Sequence, residues 1–210
     1  MLEKDEKRST KEIFLIEALK LFARGGYEAV TVSQIADAVN VSAPALYKHY
    51  KNKKELFNAV LELGEKGFTH QMEKLGVDFD KHPEKVQEYT EMTTEQLVES
   101  MQRMFLATLH DEYPSLMRKL MTVEQFHMTN MARTYNERYV ENQYNAYAAL
   151  FRILMQAGRM KKADPYTLAV LYVSPVIVLI GVCDREPEKE QWALEVIKNH
   201  IEEFNKNYRI

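Results

Sequence analysis

Side chains able to hold a polyanion are concentrated near the amino end of the chain, between residues 31 and 53. The hydroxyl and ammonium groups of this stretch include those of Thr31, Ser33, Ser42, Tyr47, Lys48 and Lys53. Such groups, together with backbone N–H groups at helix starts, are the donors that proteins direct at phosphate oxygens. Residues 1–58 also carry a net positive charge and the remainder a net negative one. This asymmetry is typical of a nucleic-acid-binding module joined to an acidic domain, although chance variation between two surfaces would produce it too.

Residues 31–50 have the pattern of a helix-turn-helix. That motif needs a small residue where its helices cross, a residue that tolerates positive φ in the turn, and apolar residues that lock the pair. Ala36 is predicted at the crossing and Asn40 in the turn. Ser42 is predicted to cap the second helix, with Pro44 in its first turn, where a missing N–H costs nothing. The predicted apolar lock consists of Ile35, Val39, Val41 and Leu46.

The second helix of such a unit lies in the major groove of DNA with its N-terminal residues against base edges. Small apolar side chains there can contact a thymine methyl group, and Lys48 can donate to guanine. The predicted base-contacting residues are Ala43, Pro44, Ala45, Lys48 and His49. Phosphate contacts are predicted for Thr31, Ser33, Ser42, Tyr47 and Lys53. Gln34, the capping partner of Thr31, completes the predicted DNA-binding set.

The segment T-V-S-Q-I-A-D-A-V-N-V-S-A-P-A-L-Y-K-H-Y-K-N-K-K-E-L resembles the DNA-binding signature of the TetR family. The resemblance covers residues 10–60, spans three helices and keeps the family spacing without a gap. Asn40 stands where glycine is usual, and Pro44 where glycine or another small residue is common. Both departures suit their predicted backbone conformations, so they bear on the base contacts and not on the fold. The resemblance disfavours the alternative of an ordinary helical hairpin whose aromatic residues simply pack.

The whole chain is predicted to be all-α, with about nine helices, because proline and glycine are rare and helical periodicity recurs throughout. A three-helix helix-turn-helix domain is expected at residues 1–58 and a second helical domain at residues 59–210, joined within a continuous fourth helix. Three helix starts are marked by the capping pairs Ser9 with Glu12, Thr31 with Gln34, and Asn52 with Glu55. Gly25 and Gly26 suit a left-handed cap at the end of the first helix. Later helices are expected at roughly 84–109, 114–121, 124–157 with a break near 129–134, 165–183 and 188–207.

The resemblance implies a function for the second domain as well. In TetR-like proteins these helices form a dimerisation surface and a small-molecule pocket, and ligand binding moves the paired DNA-binding heads apart. A ligand-responsive regulator, a repressor that binds pseudo-palindromic operator DNA as a homodimer, is therefore implied. The apolar run 168–183 and the last helix are suited to a four-helix dimer interface, or the run is the core helix of a monomer. Its fifteen residues from Leu168 to Val182 fall short of the ~20 that span a bilayer.

Methionine and aromatic side chains that suit an effector pocket recur in the second domain. Methionine and tyrosine give adaptable, amphipathic linings, which favours a small apolar or aromatic effector. The candidate ligand-binding residues are Met101, Phe105, Met121, Phe126, Tyr139, Tyr147, Phe151 and Tyr172. Most residues of this kind at helical spacing are plain core, so the members that contact a ligand stay open. A TetR-like nucleoid or division-site factor that binds DNA without any ligand is the alternative.

Other functional classes have little support in the residues. The single cysteine, Cys183, excludes an internal disulfide and a cysteine-rich zinc site, and it suits a reducing cytoplasm. The charged amino end does not resemble a signal peptide. His110 and His127 lack metal-ligand spacing, so no metal is predicted, and no cofactor motif occurs. No nucleophile motif or phosphate-binding glycine loop supports an enzyme.

Overall fold

The computed structural model describes residues 9–75 and 83–210, and the regular elements in these ranges are helices, with no strand. The bounds are α1 (Thr10–Ala29), α2 (Val32–Ala38), α3 (Ala43–Leu46), α4 (Lys53–Leu75), α5 (Pro83–Glu91), α6 (Thr94–His110), α7 (Glu112–Glu124), α8 (Thr129–Asn136), α9 (Asn142–Gln156), α10 (Pro165–Arg185) and α11 (Glu190–Tyr208). A π-helical turn, Glu137–Glu141, joins α8 to α9, and a 3₁₀ turn, Pro187–Lys189, precedes α11. The predicted all-α class is confirmed.

The starts of α1, α2 and α4 follow the predicted capping residues. At α1 and α2 the cap hydroxyl accepts the backbone N–H three residues on, and the Glu or Gln there accepts the cap's own N–H. At α4, Asn52 Oδ1 accepts the Glu55 N–H at 2.9 Å, whereas the Glu55 carboxylate accepts the Lys51 N–H at 2.6 Å. Local side-chain chemistry therefore sets where these helices begin.

The predicted helix 84–109 is broken at Met92 and Thr93. Thr93 forms a capping box with Gln96 and starts α6. The Arg209 guanidinium donates to the carbonyls of Met92 at 2.7 Å and Thr90 at 2.9 Å, which satisfies acceptors at the end of α5. The prediction of one continuous helix was wrong, because a Thr–Gln capping box starts a new helix inside it and the Arg209 that binds the end of α5 lies more than a hundred residues away in sequence.

The predicted helix 124–157 is also interrupted, but not where expected. The break lies at residues 125–128, and residues 129–156 continue through the π-helical turn without a gap. The predicted break near residues 129–134 was therefore wrong. At the end of α1, Gly26 has the predicted positive φ of 79°, but its ψ of 167° is extended and a further turn follows. Gly26 is thus a kink and not a left-handed cap.

The chain divides into two compact units. Unit 1 consists of Met1–His70 and Glu112–Arg133, and unit 2 of Gln71–Asp111 and Thr134–Ile210. Unit 1 joins α7 to the N-terminal helices, with α7 packed along α1. Its buried apolar residues include Phe14, Leu19, Phe22, Ile35, Leu46, Leu56 and Met117. The functional domains at residues 1–58 and 59–210 stay a prediction.

Unit 2 is a helical bundle around aromatic residues. Buried side chains from α6, α9, α10 and α11 form one cluster that includes Phe105, Tyr147, Phe151, Tyr172 and Phe204. Within the described ranges, α10 is the helix whose length and apolar composition would allow it to cross a membrane. One side of α10 is packed in this bundle, with Leu168 and Tyr172 buried, whereas Leu171 and Val178 are 48% and 63% exposed. α10 therefore presents an apolar surface as well as a buried face.

Candidate nucleic-acid interface

The turn between α2 and α3 is closed by backbone hydrogen bonds around Asn40. The Val41 N–H donates to the Ala36 carbonyl at 3.0 Å, and the Asn40 N–H to the Asp37 carbonyl at 3.0 Å. Asn40 has a φ of 56°, the left-handed conformation that this pair of bonds requires. The predicted role of Asn40 as the turn residue is confirmed, and Ala36, buried at the helix crossing, fills its predicted place.

The second helix of the motif is short and is anchored at its end. α3 spans four residues, and tighter hydrogen bonds continue the turn, with the His49 N–H donating to the Leu46 carbonyl at 2.9 Å. Leu46 and Tyr50 are buried. Pro44, Tyr47 and Lys48 are exposed, and Tyr47 retains half of its accessible surface. The buried anchors therefore turn the predicted DNA-facing side chains toward solvent.

Eight of the eleven predicted DNA-binding residues are exposed: Thr31, Ser33, Gln34, Ser42, Pro44, Tyr47, Lys48 and His49. The other three, Ala43, Ala45 and Lys53, are half-buried. All eleven lie in unit 1, on the N-cap of α2, on α2 and α3, in the turns that follow these two helices and on the first residue of α4. An exposed set of this kind has the surface access that groove binding requires.

The hydroxyl groups of the set differ in how they are used. The Thr31 hydroxyl accepts the Gln34 N–H at 3.2 Å and donates to Gln34 Oε1 at 3.1 Å, so it is occupied by the cap of α2. Ser42 caps α3 without a side-chain hydrogen bond. The Ser42 hydroxyl is therefore better placed than that of Thr31 to meet a phosphate without breaking a cap.

Lys53 is held against the end of α1. Its Nζ lies 4.3 Å from the centroid of the Tyr27 ring and donates to the Glu28 carbonyl at 3.2 Å. The Tyr27 ring in turn lies 4.5 Å from that of Phe57, one turn further along α4. A cation over a tyrosine face is attracted by the ring quadrupole, so the direction of the Lys53 ammonium is set by Tyr27. No local pattern in the sequence predicts the contact of Tyr27 with Lys53, since the two residues are twenty-six positions apart.

The start of α1 supports the recognition turn. The Phe14 and His49 rings are 5.4 Å apart at a tilt of 52°, and Lys11 Nζ lies 5.8 Å from the Tyr50 ring centroid. The buried Tyr50 hydroxyl has no hydrogen-bond partner in the part of the chain that the structure describes. Burial raises the Tyr50 pKa to about 12, and the nearby Glu55 carboxylate adds to this shift. Tyr50 thus acts as a neutral packing residue at ordinary pH.

Two further basic residues near the motif were not singled out from the sequence. Lys51 and Lys54 are exposed on either side of Lys53. The run K-N-K-K at residues 51–54 was the available signal, since consecutive exposed lysines raise the local positive potential. Their positions add charge beside the predicted phosphate-binding residues.

The candidate effector-binding residues fall into both units. Met101, Phe105, Tyr139, Tyr147, Phe151 and Tyr172 belong to unit 2, and Met121 and Phe126 to unit 1. Phe126 is 85% exposed, Tyr139 is half-buried, and the other six are buried. Which of them contact a ligand therefore stays a prediction.

Polar groups meet inside the aromatic cluster of unit 2. The Tyr89 hydroxyl donates to the Tyr172 hydroxyl at 2.9 Å, and the Tyr144 hydroxyl lies 2.8 Å from Ser174 Oγ. His200 Nε2 lies 2.9 Å from the Tyr172 carbonyl. Burial raises the Tyr172 pKa well above its ordinary value, and the Tyr89 hydroxyl adds to the shift. The interior thus combines aromatic surface with a few polar groups.

The residues that bear on metal or enzyme chemistry are His110, His127 and Cys183. Within residues 9–75 and 83–210, no group of three or more His, Cys, Asp or Glu could hold a metal ion. His110 Nε2 lies 2.6 Å from Glu190 Oε2, and His127 is exposed. Burial raises the Cys183 pKa, and the negative charges of Glu190 and Asp184 raise it further. A nucleophilic thiol needs a lowered pKa, so this shift is in the opposite direction.

Together, an all-α fold and an exposed helix-turn-helix define this chain as a helix-turn-helix protein. The model of bacterial regulatory proteins of the tetR family matches residues 14–60. The match thus identifies residues 14–60 as a DNA-binding domain of the tetR-family type. The transcriptional regulator AcrR of Shigella flexneri is 37% identical over 62 residues, which are 30% of this chain and 29% of AcrR. The chain thus matches less than a third of the length of this curated relative.

Solved structures resemble nearly the whole chain. A protein of Mesorhizobium loti assigned to the TetR family covers 95% of this chain and 96% of its own, with a TM-score of 0.64 and 18% identity. SmeT is the repressor of the Stenotrophomonas maltophilia multidrug efflux pump SmeDEF. Its match covers 97% of this chain and 92% of the SmeT chain, with a TM-score of 0.59 and 20% identity. SmeT is also known in complex with triclosan. At identities of 18% and 20% the likeness shows the fold alone.

Proposed function

We propose that this protein is a ligand-responsive transcriptional regulator, a repressor that binds pseudo-palindromic operator DNA as a homodimer. The observation that carries the proposal is the exposed face of α3 and its flanking turns, held by the buried Leu46 and Tyr50. A short helix presented in this way fits the major groove, with Lys48 toward base edges and Tyr47 toward a phosphate. The protein would act in the cytoplasm, on the nucleoid.

An exposed apolar stripe supports dimerisation through α10 and α11. Leu171 and Val178 are two turns apart on α10 and are 48% and 63% exposed, and Trp192 of α11 is half-exposed. Contiguous exposed apolar surface marks interaction sites, and a twofold-symmetric pairing buries the same surface on both subunits. A dimer of this kind presents two recognition turns to one duplex, with half-sites about a helical turn or somewhat more apart.

The aromatic interior of unit 2 supports the proposal of a small apolar or aromatic effector. Tyr147, Phe151 and Tyr172 meet there with ring centroids 5.1 to 5.9 Å apart, and the Tyr89 and Tyr172 hydroxyls supply polar groups. Aromatic surface with a few hydroxyl groups matches ligands with an apolar body and one hydrogen-bonding group. A library of such compounds should contain one that raises the melting temperature, since a ligand of the folded state stabilises it. A library without effect would favour the ligand-independent DNA-binding factor.

Selection of duplexes from a random DNA library tests the DNA-binding proposal. Enrichment of one pseudo-palindrome by the wild-type protein is the expected result. Tyr47→Phe should weaken binding to every sequence, because it removes a phosphate contact, whereas Lys48→Ala should change the preferred sequence. Lys162→Ala, an exposed lysine of unit 2, is the matched control and should bind as wild type. Enrichment of no sequence, with no salt-dependent binding of duplex DNA, would exclude the proposal.

A further inference from the structure

We infer that Glu124 is a positioning residue for DNA binding, which acts through the backbone of Tyr27 without touching DNA. The inference rests on the proposed DNA-binding function. Glu124 is the last residue of α7, ninety-seven positions after Tyr27 in the chain. Its side chain belongs to unit 1 together with the helix-turn-helix.

The Glu124 carboxylate is buried against the kink of α1. Glu124 is only 2% exposed, and its Oε1 accepts the Tyr27 N–H at 2.5 Å. A Cβ at Gly26 would lie 2.8 Å from the same oxygen, so the absence of a side chain there makes room for the carboxylate. Gly26 also has a positive φ together with an extended ψ, a combination that is essentially confined to glycine. Glu124 and Gly26 therefore fix the backbone direction at the end of α1.

That backbone direction decides where Tyr27 and its neighbours lie. The Tyr27 ring receives the Lys53 ammonium on its face, and the Glu28 carbonyl accepts from the same ammonium. Four residues after Tyr27, Thr31 caps α2. A carboxylate accepting a backbone N–H is a strong, directional contact in a buried site. The Glu124 contact is thus connected to the Lys53 ammonium and to the start of α2, both in the predicted phosphate-binding set.

α7 packs closely against α1 and α4, and these contacts hold Glu124 in place. A Cβ at Gly64 of α4 would lie 2.5 Å from Met117 Sδ, and one at Gly67 would lie 3.0 Å from the Tyr113 Cβ. A side chain at Gly64 would displace the Met117 side chain, and one at Gly67 would crowd Tyr113, so α4 and α7 are in close contact here. A displacement of α7 would therefore move α4, and through Glu124 the end of α1 as well.

Operator affinity of Glu124 variants tests this role, with duplexes selected by the wild-type protein as the probe. Glu124→Ala removes the acceptor and should weaken binding by about tenfold or more. If Lys53 loses its phosphate contact, the slope of log affinity against log salt should fall by about 0.9 for each subunit. Glu124→Gln keeps an oxygen in place and should restore affinity to within about twofold of wild type.

Glu112→Ala is the matched control, because Glu112 lies at the other end of α7 and its carboxylate is 3.9 Å from the Lys20 ammonium on α1. It should leave affinity and salt slope unchanged. A mere loss of stability would lower the folded fraction without changing the salt slope of the folded protein. If Glu124→Ala does not fold, Glu124→Asp, which withdraws the carboxylate by one methylene, takes its place with the same expected direction.

A folded Glu124→Ala or Glu124→Asp variant with wild-type affinity and salt slope would overturn the inference. Hydrogen exchange of the Tyr27 amide separates this failure from that of the proposed function. If the wild-type protein binds no DNA, the DNA-binding proposal fails. Faster exchange at Tyr27 in Glu124→Ala would then still establish the contact, and unchanged exchange would remove it.

Discussion

In the turn between α2 and α3, the backbone hydrogen bonds join residues three to five positions apart, as between Ala36 and Val41. In the interior of unit 2, the polar contacts of Tyr172 with His200 and Tyr89 join groups 28 and 83 positions apart. The recognition turn is therefore encoded locally, and the unit 2 interior depends on the packing of separate helices. Substitutions should act through backbone conformation in the first region and through lost volume in the second.

The largest effect is expected in the interior of unit 2. Phe151→Ala should lower the free energy of unfolding by about 3–5 kcal/mol, because Phe151 is fully buried against Tyr172 and Phe204 and its removal leaves a cavity. Urea denaturation measures this change. Phe126→Ala is the matched control, since Phe126 is exposed, and it should change stability by less than about 0.5 kcal/mol. Equal effects of the two variants would contradict the packing account.

A smaller effect on stability is expected at the turn between α2 and α3, where stability depends on the backbone conformation of Asn40. Asn40→Ala should cost about 1–2 kcal/mol, because alanine has a Cβ that disfavours the positive φ and lacks the polar side chain that eases it. Asn40→Gly should leave stability within about 1 kcal/mol of wild type, since glycine adopts this conformation freely. Thermal unfolding of both variants distinguishes them. An alanine variant as stable as the glycine variant would show that φ at this position does not limit stability.

The smallest effect concerns the alkaline stability of the recognition turn. The Tyr50 pKa is raised to about 12 in the folded protein from 10.0. The neutral hydroxyl is therefore favoured by folding. The contribution of the neutral Tyr50 hydroxyl to the free energy of unfolding is complete below pH 10 and is lost as the pH rises toward 12. Tyr50→Phe should flatten the fall in unfolding free energy over this range, as measured by urea denaturation at several pH values.

Much of the helix-turn-helix could be predicted because the residues that determine its structure are close in sequence. The cap of Thr31 by Gln34, the turn at Asn40 and the proline in the first turn of α3 each depend on residues within a few positions. The same kind of signal at Thr93 and Gln96 was present but was not used, and this produced the wrong continuous helix. A helix cap can be predicted from the sequence when the side chain and its backbone partner lie within one helical turn.

The remaining features depend on groups that approach only in the folded chain. Nothing near Phe126 indicates that it is exposed while Met121 on the preceding turn is buried. Likewise, Arg209 at the carboxyl end satisfies the last carbonyls of α5, and no pattern around either segment predicts it. Burial is a property of the surrounding helices, so periodicity identifies an apolar face without saying what covers it.

The amino-acid sequence by itself determined the all-α class, three capped helix starts and the turn of the helix-turn-helix. Backbone preferences and helix caps act over a few positions, so these features can be identified from neighbouring residues. Only the tertiary structure decided that α7 joins the N-terminal helices and that the Glu124 carboxylate meets the Tyr27 N–H. The physical reason is that a hydrogen bond across ninety-seven residues forms only after packing has brought its two groups together and excluded water from both.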